Sequence, residues 1–215
     1  MIVLDIETTG VTQNHGICEI AAIDLEDPAN YFYEDCKIDD EDLVNNAALE
    51  INGHTRDSIF DEEKQTQEQM ISNYLDWVEK QEEKIFFGQI VAWDISMIEG
   101  KCVRYGFWER YIAIHRQRGL DLHTIAQEKY KELYGKFLLD EEGKSAMGLG
   151  EILNFCGLKD ERSKFSADTK IKEGKTHKAL EDCKLAAECY KRLKEEIPHY
   201  GEFSEMPVPE YLKKE

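Results

Sequence analysis

The chain opens on an apolar, β-branched run, Ile2-Val3-Leu4-Asp5-Ile6-Glu7, and comparable runs follow at 17–24 and 30–36. Turn signals at Gly10 to Gly16 and at Asp27-Pro28 separate the three, so the pattern predicts an antiparallel meander over 2–7, 17–24 and 30–36. The hydrophobic period then changes to that of a helix. Helices are predicted near 41–50 and 66–80, the second carrying Met70, Ile71, Tyr74, Leu75 and Val78 at helical spacing. A strand at 84–88 ends on Gly88, and a helix opened by Asp94 places Ile95, Ile98 and Cys102 on its apolar side. A short strand at 119–122 precedes helices at 123–134, 148–156 and 177–196, with Gly135 to Ser145 as an exposed loop. Internal repeats and low-complexity tracts are absent. A length of 215 residues suits one well-packed α/β domain. It is assigned to 1–197, and 198–215, with Tyr200, Phe203, Pro207, Pro209 and Tyr211, reads as a tail lying along the surface or meeting a partner.

Two residues break the pattern of the first strand. Side chains at i and i+2 share a face, with Cα atoms roughly 6.6 Å apart, so Asp5 and Glu7 bring two like charges to the side that Val3 assigns to the core. Burying an unpaired carboxylate costs several kcal/mol or forces it to take a proton. A hard divalent ion of the Mg²⁺ or Mn²⁺ kind removes that cost, whereas a solvated strand end avoids it.

A metal centre needs further acids from elsewhere in the chain. Asp182 falls on one apolar stripe with Ala186, Cys189 and Leu193, next to a stripe of Leu180, Cys183, Ala187 and Tyr190, so it faces the core. His177, five residues earlier, lies roughly 140° around a helix from Asp182. It therefore belongs in the preceding loop or first turn, with Thr176 as a candidate N-cap, where a histidine beside a buried aspartate fits a general base. Asp94, after Gly88, is the third candidate acid. Taken singly, Asp94 also reads as a helix-start acid, and His177 as a surface histidine.

Together these segments resemble the DEDDh family of 3′-to-5′ exonucleases, which includes polymerase proofreading subunits and RNase T-like enzymes. The resemblance rests on Asp5-x-Glu7 with Thr8-Thr9-Gly10, Gly88-x5-Asp94 and His177-x-Ala179-x2-Asp182, and runs from residue 1 to about 195. Ala48-Leu49-Glu50-Ile51-Asn52-Gly53 and Asp121-Leu122-His123-Thr124-Ile125-Ala126 agree with it. The sister group has a tyrosine four residues before the last aspartate, where this chain has Lys178. The fold implied is RNase H-like: a mixed five-stranded sheet flanked by helices.

The resemblance implies roles. Asp5, Glu7, Asp94 and Asp182 would hold two divalent ions, Mg²⁺ or Mn²⁺, and His177 would take a proton from the attacking water. The products would be nucleoside 5′-monophosphates cut from single-stranded ends, DNA favoured over RNA. An RNA-trimming enzyme of the same family and a non-catalytic binding module on the same fold are the alternatives. Thr8 and Thr9 would cup the terminal sugar, and Ile51 and Asn52 would border the terminal nucleotide. Two positions depart from the family pattern. Ile90 stands where an asparagine is common and cannot hydrogen-bond a sugar or phosphate, while Trp93 replaces a phenylalanine and keeps a stacking face.

A net charge of −18 argues against a protein that coats nucleic acid, but the charge is uneven. Residues 24–50 hold ten acids and Lys37 as the one base, which reads as a solvated face. Between 101 and 118, Lys101, Arg104, Arg110, Arg116 and Arg118 are interleaved with Tyr105, Phe107, Trp108 and Tyr111. Between 159 and 178 there are seven bases against four acids. Both stretches are candidates for tracking phosphates. The expected partners are single-stranded DNA or RNA 3′ ends, with a polymerase or another replication or repair protein as a candidate. The sequence has neither a membrane-length apolar run nor a signal-like start, so a cytoplasmic, intracellular protein is expected. Six cysteines without paired C-x2-C spacing read as reduced, buried thiols. Gly174-Lys175-Thr176 resembles the end of a P-loop, but Thr169 occupies the place of the required glycine and no apolar strand precedes it.

Overall fold

The computed structural model describes residues 1–115, 118–163 and 174–213. Its sheet is built from β1 (Ile2–Thr8), β2 (Ile17–Asp24), β3 (Tyr31–Asp35), β4 (Phe86–Gly88) and β5 (Gly119–Asp121), in the order β3-β2-β1-β4-β5. β2 runs antiparallel to both β1 and β3, and β1, β4 and β5 run parallel to one another. This is the mixed five-stranded sheet expected of an RNase H-like fold.

Helices cover both faces, and β1 serves both. Its even residues Ile2, Leu4 and Ile6 pack with α3 (Gln67–Glu79), α4 (Val91–Arg104) and α5 (Trp108–Ile114), against Met70, Tyr74, Ile95 and Ile98. On the other face, Val3 joins Ala21 and Ile23 of β2 against α6 (Leu122–Tyr134), α7 (Leu149–Phe155) and α8 (Ala179–Lys194). Each fully buried Ile or Leu contributes about 1.5–3 kcal/mol, so the odd face of β1 gives up much by carrying Asp5 and Glu7. At Gly88 a Cβ would stand 2.5 Å from the Leu4 carbonyl, so only glycine lets β4 approach β1 here.

Several elements differ from the sequence pattern. The helix expected at 41–50 is α1, Asn46–Asn52, begun by the Asn45 cap on Ala47 N. Asp42 is drawn out of any helix because its carboxylate accepts from Lys101, Arg104 and Gln67. Asp94 does not open its helix: α4 starts at Val91, with Ile90 at the cap position. α2 (Arg56–Ile59) and α5 are short helices without enough periodic positions to signal them, and Leu139 and Ser145 bridge across the expected 135–145 loop.

The residues expected as a tail are sewn to α7 and α8. Glu188, fully buried, accepts from His199 N and Tyr200 N, while Arg192 donates to the carbonyls of Phe203 and Met206. Val208 and Leu212 complete the second core. All six cysteines are buried and free. No helix among the described residues is long and apolar enough to cross a membrane.

Candidate active site

Parallel strands deliver their carboxyl ends to one edge of the sheet, where ligand sites of open α/β folds form. Here the end of β1, the start of α4 and the start of α8 enclose a cleft of about 310 Å³ lined by Asp5, Glu7, Thr8, Val11, Ile51, Asn52, Trp93, His177 and Asp182. Donor atoms of Glu7, His177 and Asp182 lie within 4.8 Å of one another. Asp94, 3% exposed in the first turn of α4, is not among the lining residues; it accepts from Ile6 N at 3.2 Å, tying that helix to the middle of β1.

The electrostatics are those of acids crowded out of water. Asp5 is held well above its ordinary value by burial, then by the charges of Asp182, Asp94 and Glu7, with Arg162 opposing. Burial likewise pushes Glu7, Asp94 and Asp182 up. Within Asp182, Oδ2 receives Arg162 at 2.9 Å and lies 3.5 Å from His177 Nδ1, whereas the buried Oδ1 has no hydrogen-bond partner among the described residues. Four carboxylates that resist ionisation, one with an orphaned oxygen, form an oxygen-rich donor set that fits hard divalent cations. Arg162, which also donates to Asp160, supplies cationic charge beside Asp182.

His177 lies outside α8, as its spacing from Asp182 implied, but the expected Thr176 cap is not formed. The cap position is Lys178, without a side-chain cap of its own, and the acceptor at the helix start is Glu19 of β2, which receives Ala179 N at 3.4 Å. His177 N donates to Ile51 O at 2.9 Å, and its Nε2 lies 3.0 Å from Ser163 O. Gly53 makes the first contact possible: its left-handed φ of 75° closes α1, and a Cβ there would stand 2.7 Å from Thr176.

Of the residues expected to hold a nucleotide, Thr8, Ile51, Asn52 and Trp93 line the cleft. Thr9 does not. It is fully buried, donating to Leu43 O and accepting from Gly16 N, so its hydroxyl pins the 10–16 and 43–45 loops together. Asn52 is committed to backbone, donating to Thr8 O and accepting from His54 N. Ile90 is half exposed at φ 58°, a left-handed conformation that β-branched residues rarely adopt.

Among the described residues, the bases of the two basic stretches are, Arg118 apart, engaged with the protein's own carboxylates. Lys101 is buried against Asp42, Arg104 pairs with Asp39 and Asp42, and Arg110 pairs with Asp76 and Glu79. In the second stretch Lys159 and Lys175 pair with Glu161, Arg162 with Asp160 and Asp182, and Lys178 with Glu19. The run of bases was legible, but its carboxylate partners come largely from distant segments. Arg116, Lys164, Lys170 and Lys172 lie outside the described residues. Glu19, a further buried acid beside the cleft, was not singled out from the sequence although it interrupts the apolar strand 17–24 much as Asp5 and Glu7 interrupt theirs.

Residues 2–190 match the family model described as RNase T, exonuclease. No curated protein matches the chain. Among solved structures, E. coli exonuclease I in complex with a dT13 oligonucleotide is similar at 16% identity and TM-score 0.63, covering 90% of this chain and 40% of that one. Cell-death related nuclease 4 (CRN-4) is similar at 18% identity and TM-score 0.62, covering 91% and 63%. The nuclease domain of 3′hExo, described as a DEDDh family member bound to rAMP, is similar at 15% identity and TM-score 0.54, covering 97% and 95%. The chain thus spans less than two thirds of the length of the first two, and the likeness at these identities is one of fold.

Proposed function

The chain belongs to the RNase T exonuclease family, and from that premise we propose that it removes nucleotides singly from the 3′ end of single-stranded nucleic acid, releasing nucleoside 5′-monophosphates. The observation that carries the reading is the set of four crowded carboxyl groups, Asp5, Glu7, Asp94 and Asp182, gathered about the end of β1 with His177 beside Asp182. Two ions of Mg²⁺ or Mn²⁺ held by those acids would activate a water and stabilise the leaving 3′ oxygen.

His177 suits the proton transfer. A carbonyl can only accept, so the contact with Ser163 O places the ring proton on Nε2 and leaves Nδ1 as the basic nitrogen. Once Nδ1 takes a proton from water, the Asp182 carboxylate 3.5 Å away stabilises the imidazolium. Trp93 would press on the terminal base, and Thr8, Ile51 and Asn52 would border the terminal nucleotide.

For the polymer we favour DNA over RNA, because a 2′-hydroxyl brought into this cleft would find few free partners. Accepting RNA needs a partner for the 2′-hydroxyl, yet the exposed Val11 is apolar, the Thr8 hydroxyl donates to Gly10 O and the Asn52 amide donates to Thr8 O. The neighbours' ligands, a dT13 oligonucleotide for one and rAMP for another, leave both polymers in the test. The protein is incubated with Mn²⁺ and matched 5′-labelled DNA and RNA single strands. A ladder shortening from the 3′ end, faster on DNA, blocked by a 3′-phosphate and abolished in Asp5→Ala and Asp182→Ala, is expected. Equal cutting of a circular strand would show an endonuclease, and absence of Mn²⁺-dependent release would leave a binding module. A polymerase or other repair partner for the same site is a further part of the proposal, tested by co-purification with the full chain.

A further inference from the structure

Glu19 lies directly across the β1–β2 ladder from Glu7 and is 1% exposed. Donors converging on its carboxylate include His54 Nε2 at 2.8 Å, Lys178 Nζ at 2.7 Å and Ala179 N at 3.4 Å, and the Tyr33 hydroxyl also bonds to it. Burial pushes the carboxyl up, and the hydrogen bonds from His54 and Lys178 more than offset this, holding it below its ordinary range. Glu19 is therefore an acid satisfied by protein donors, unlike its crowded neighbours at the end of β1.

Its partners belong to the parts that must be held in register around the cleft. Ala179 is the first residue of α8, and Lys178 holds its cap position without a side-chain cap. A carboxylate at a helix start satisfies orphan N–H groups and complements the macrodipole, and here it comes from a strand 160 residues away in sequence. His54 follows the left-handed turn at Gly53 that closes α1, and the same turn receives His177 N on Ile51 O. One carboxylate thus joins the sheet that carries Glu7, the turn that carries Ile51 and Asn52, and the helix start between His177 and Asp182.

We propose that Glu19, gripped by His54 and Lys178, is a positioning residue that fixes the first turn of α8 and so sets where His177 and Asp182 stand against the Asp5–Glu7 pair. Glu19 touches neither substrate nor metal in this role. The inference rests on the exonuclease reading for its effect on turnover, and on geometry alone for its effect on α8.

The test uses full-length Glu19→Gln, Lys178→Met and Lys178→Arg. The Glu19→Gln change keeps the side chain's shape and removes its charge, and the new amide would face one of these donors. Should Glu19→Gln fold poorly, the partly exposed Lys178 supplies the second variant. Hydrogen exchange of the metal-free protein should show Ala179 amide protection at least about tenfold lower in Glu19→Gln. Calorimetry should show Mn²⁺ binding about 10–100-fold weaker, the usual loss when a partner that orients a ligand is removed. Turnover should fall by a similar factor with KM within about twofold, because the nucleotide-facing side chains are untouched. Lys178→Met should show the same trend, and Lys178→Arg should restore it. Unchanged Ala179 protection and Mn²⁺ affinity in both Glu19→Gln and Lys178→Met would overturn the clamp. Wild-type protein that releases no nucleotide would instead overturn the exonuclease reading, and the exchange data would still decide the clamp.

Discussion

Ile90→Asn should stabilise the protein, contrary to the usual effect of placing an amide where an isoleucine stood. Ile90 holds φ 58° and ψ 40° at the cap of α4 and makes no side-chain cap hydrogen bond. For an ordinary L-residue the left-handed conformation costs roughly 1–2 kcal/mol, a cost asparagine largely escapes through local hydrogen bonding. Against that stands lost apolar contact. Ile90 is 54% exposed, so roughly half of the 1.5–3 kcal/mol of a fully buried isoleucine is at stake, and asparagine retains part of that packing. The two nearly balance, and an amide able to cap the α4 amides adds about 0.5–1 kcal/mol, leaving a net gain near 1 kcal/mol. For a domain of this size that raises the melting temperature by about 2–4 °C, read by calorimetry at fixed pH without metal. Ile90→Val, which keeps the β-branch and the strain, should gain nothing. An Ile90→Asn protein melting below the wild type, or a valine variant gaining as much, would refute the strain argument. Because Ile90 O receives the backbone N–H of Trp93, a cleft-lining residue, the asparagine should also shift the DNA-to-RNA rate ratio more than it shifts the Mn²⁺ requirement.

His177→Ala should lower turnover by about 10²–10⁴-fold, the usual share of a general base, while calorimetric Mn²⁺ binding changes little; a loss under tenfold would make the histidine structural. Asp5→Asn should raise the melting temperature of the metal-free protein, and by more at pH 5.5 than at pH 4. A carboxyl held above its ordinary 3.8 binds more protons folded than unfolded, so its destabilisation grows as pH rises from that value. The comparison with wild type cancels His115, which burial holds down near 3 and which acts in the opposite direction below its ordinary 6.5. An Asp5→Asn advantage that shrinks with pH would contradict the crowding argument. Trp93→Ala should weaken oligonucleotide binding in Ca²⁺ by about 1–3 kcal/mol, the contribution of one base-aromatic stack; unchanged affinity would leave Trp93 with its packing role and its Val11 hydrogen bond.

What the sequence revealed follows from how local each cause is. The alternation in β1 put Ile2, Leu4 and Ile6 on one face and Val3, Asp5 and Glu7 on the other, and the helical period put Asp182 inward, since both periods are properties of contiguous backbone. The start of α8 was misjudged because its acceptor, Glu19, comes from another strand rather than from Thr176. The helix at 41–50 was misjudged for the same reason: Asp42 looks like an ordinary helix-start acid until Lys101, some 59 residues on, is seen to be buried against it. Thr9 carries the chemistry of a sugar contact but faces inward, and only the paired loops at 10–16 and 43–45 determine that.

The engagement of the basic stretches bears on how a chain of net charge −18 holds a polyanion. Among the described residues, Lys101, Arg104, Arg110, Arg162 and Lys178 are all turned toward carboxylates of the protein itself. A cation already paired releases few counterions when a phosphate arrives, so these five residues offer little of the salt-sensitive term that dominates ordinary nucleic-acid binding. The terminal nucleotide, stacked and held at the metal acids, is then expected to supply most of the affinity. Each phosphate neutralised on a single strand contributes about 0.7 to the slope of log K against log salt. Oligonucleotide binding measured by anisotropy in Ca²⁺ over roughly 50–300 mM salt should accordingly give a slope shallower than about −1.5. A slope steeper than about −3 would show four or more phosphates neutralised, assign the binding to cations such as Lys164, Lys170 and Lys172, and remove the terminal nucleotide as the main source of affinity.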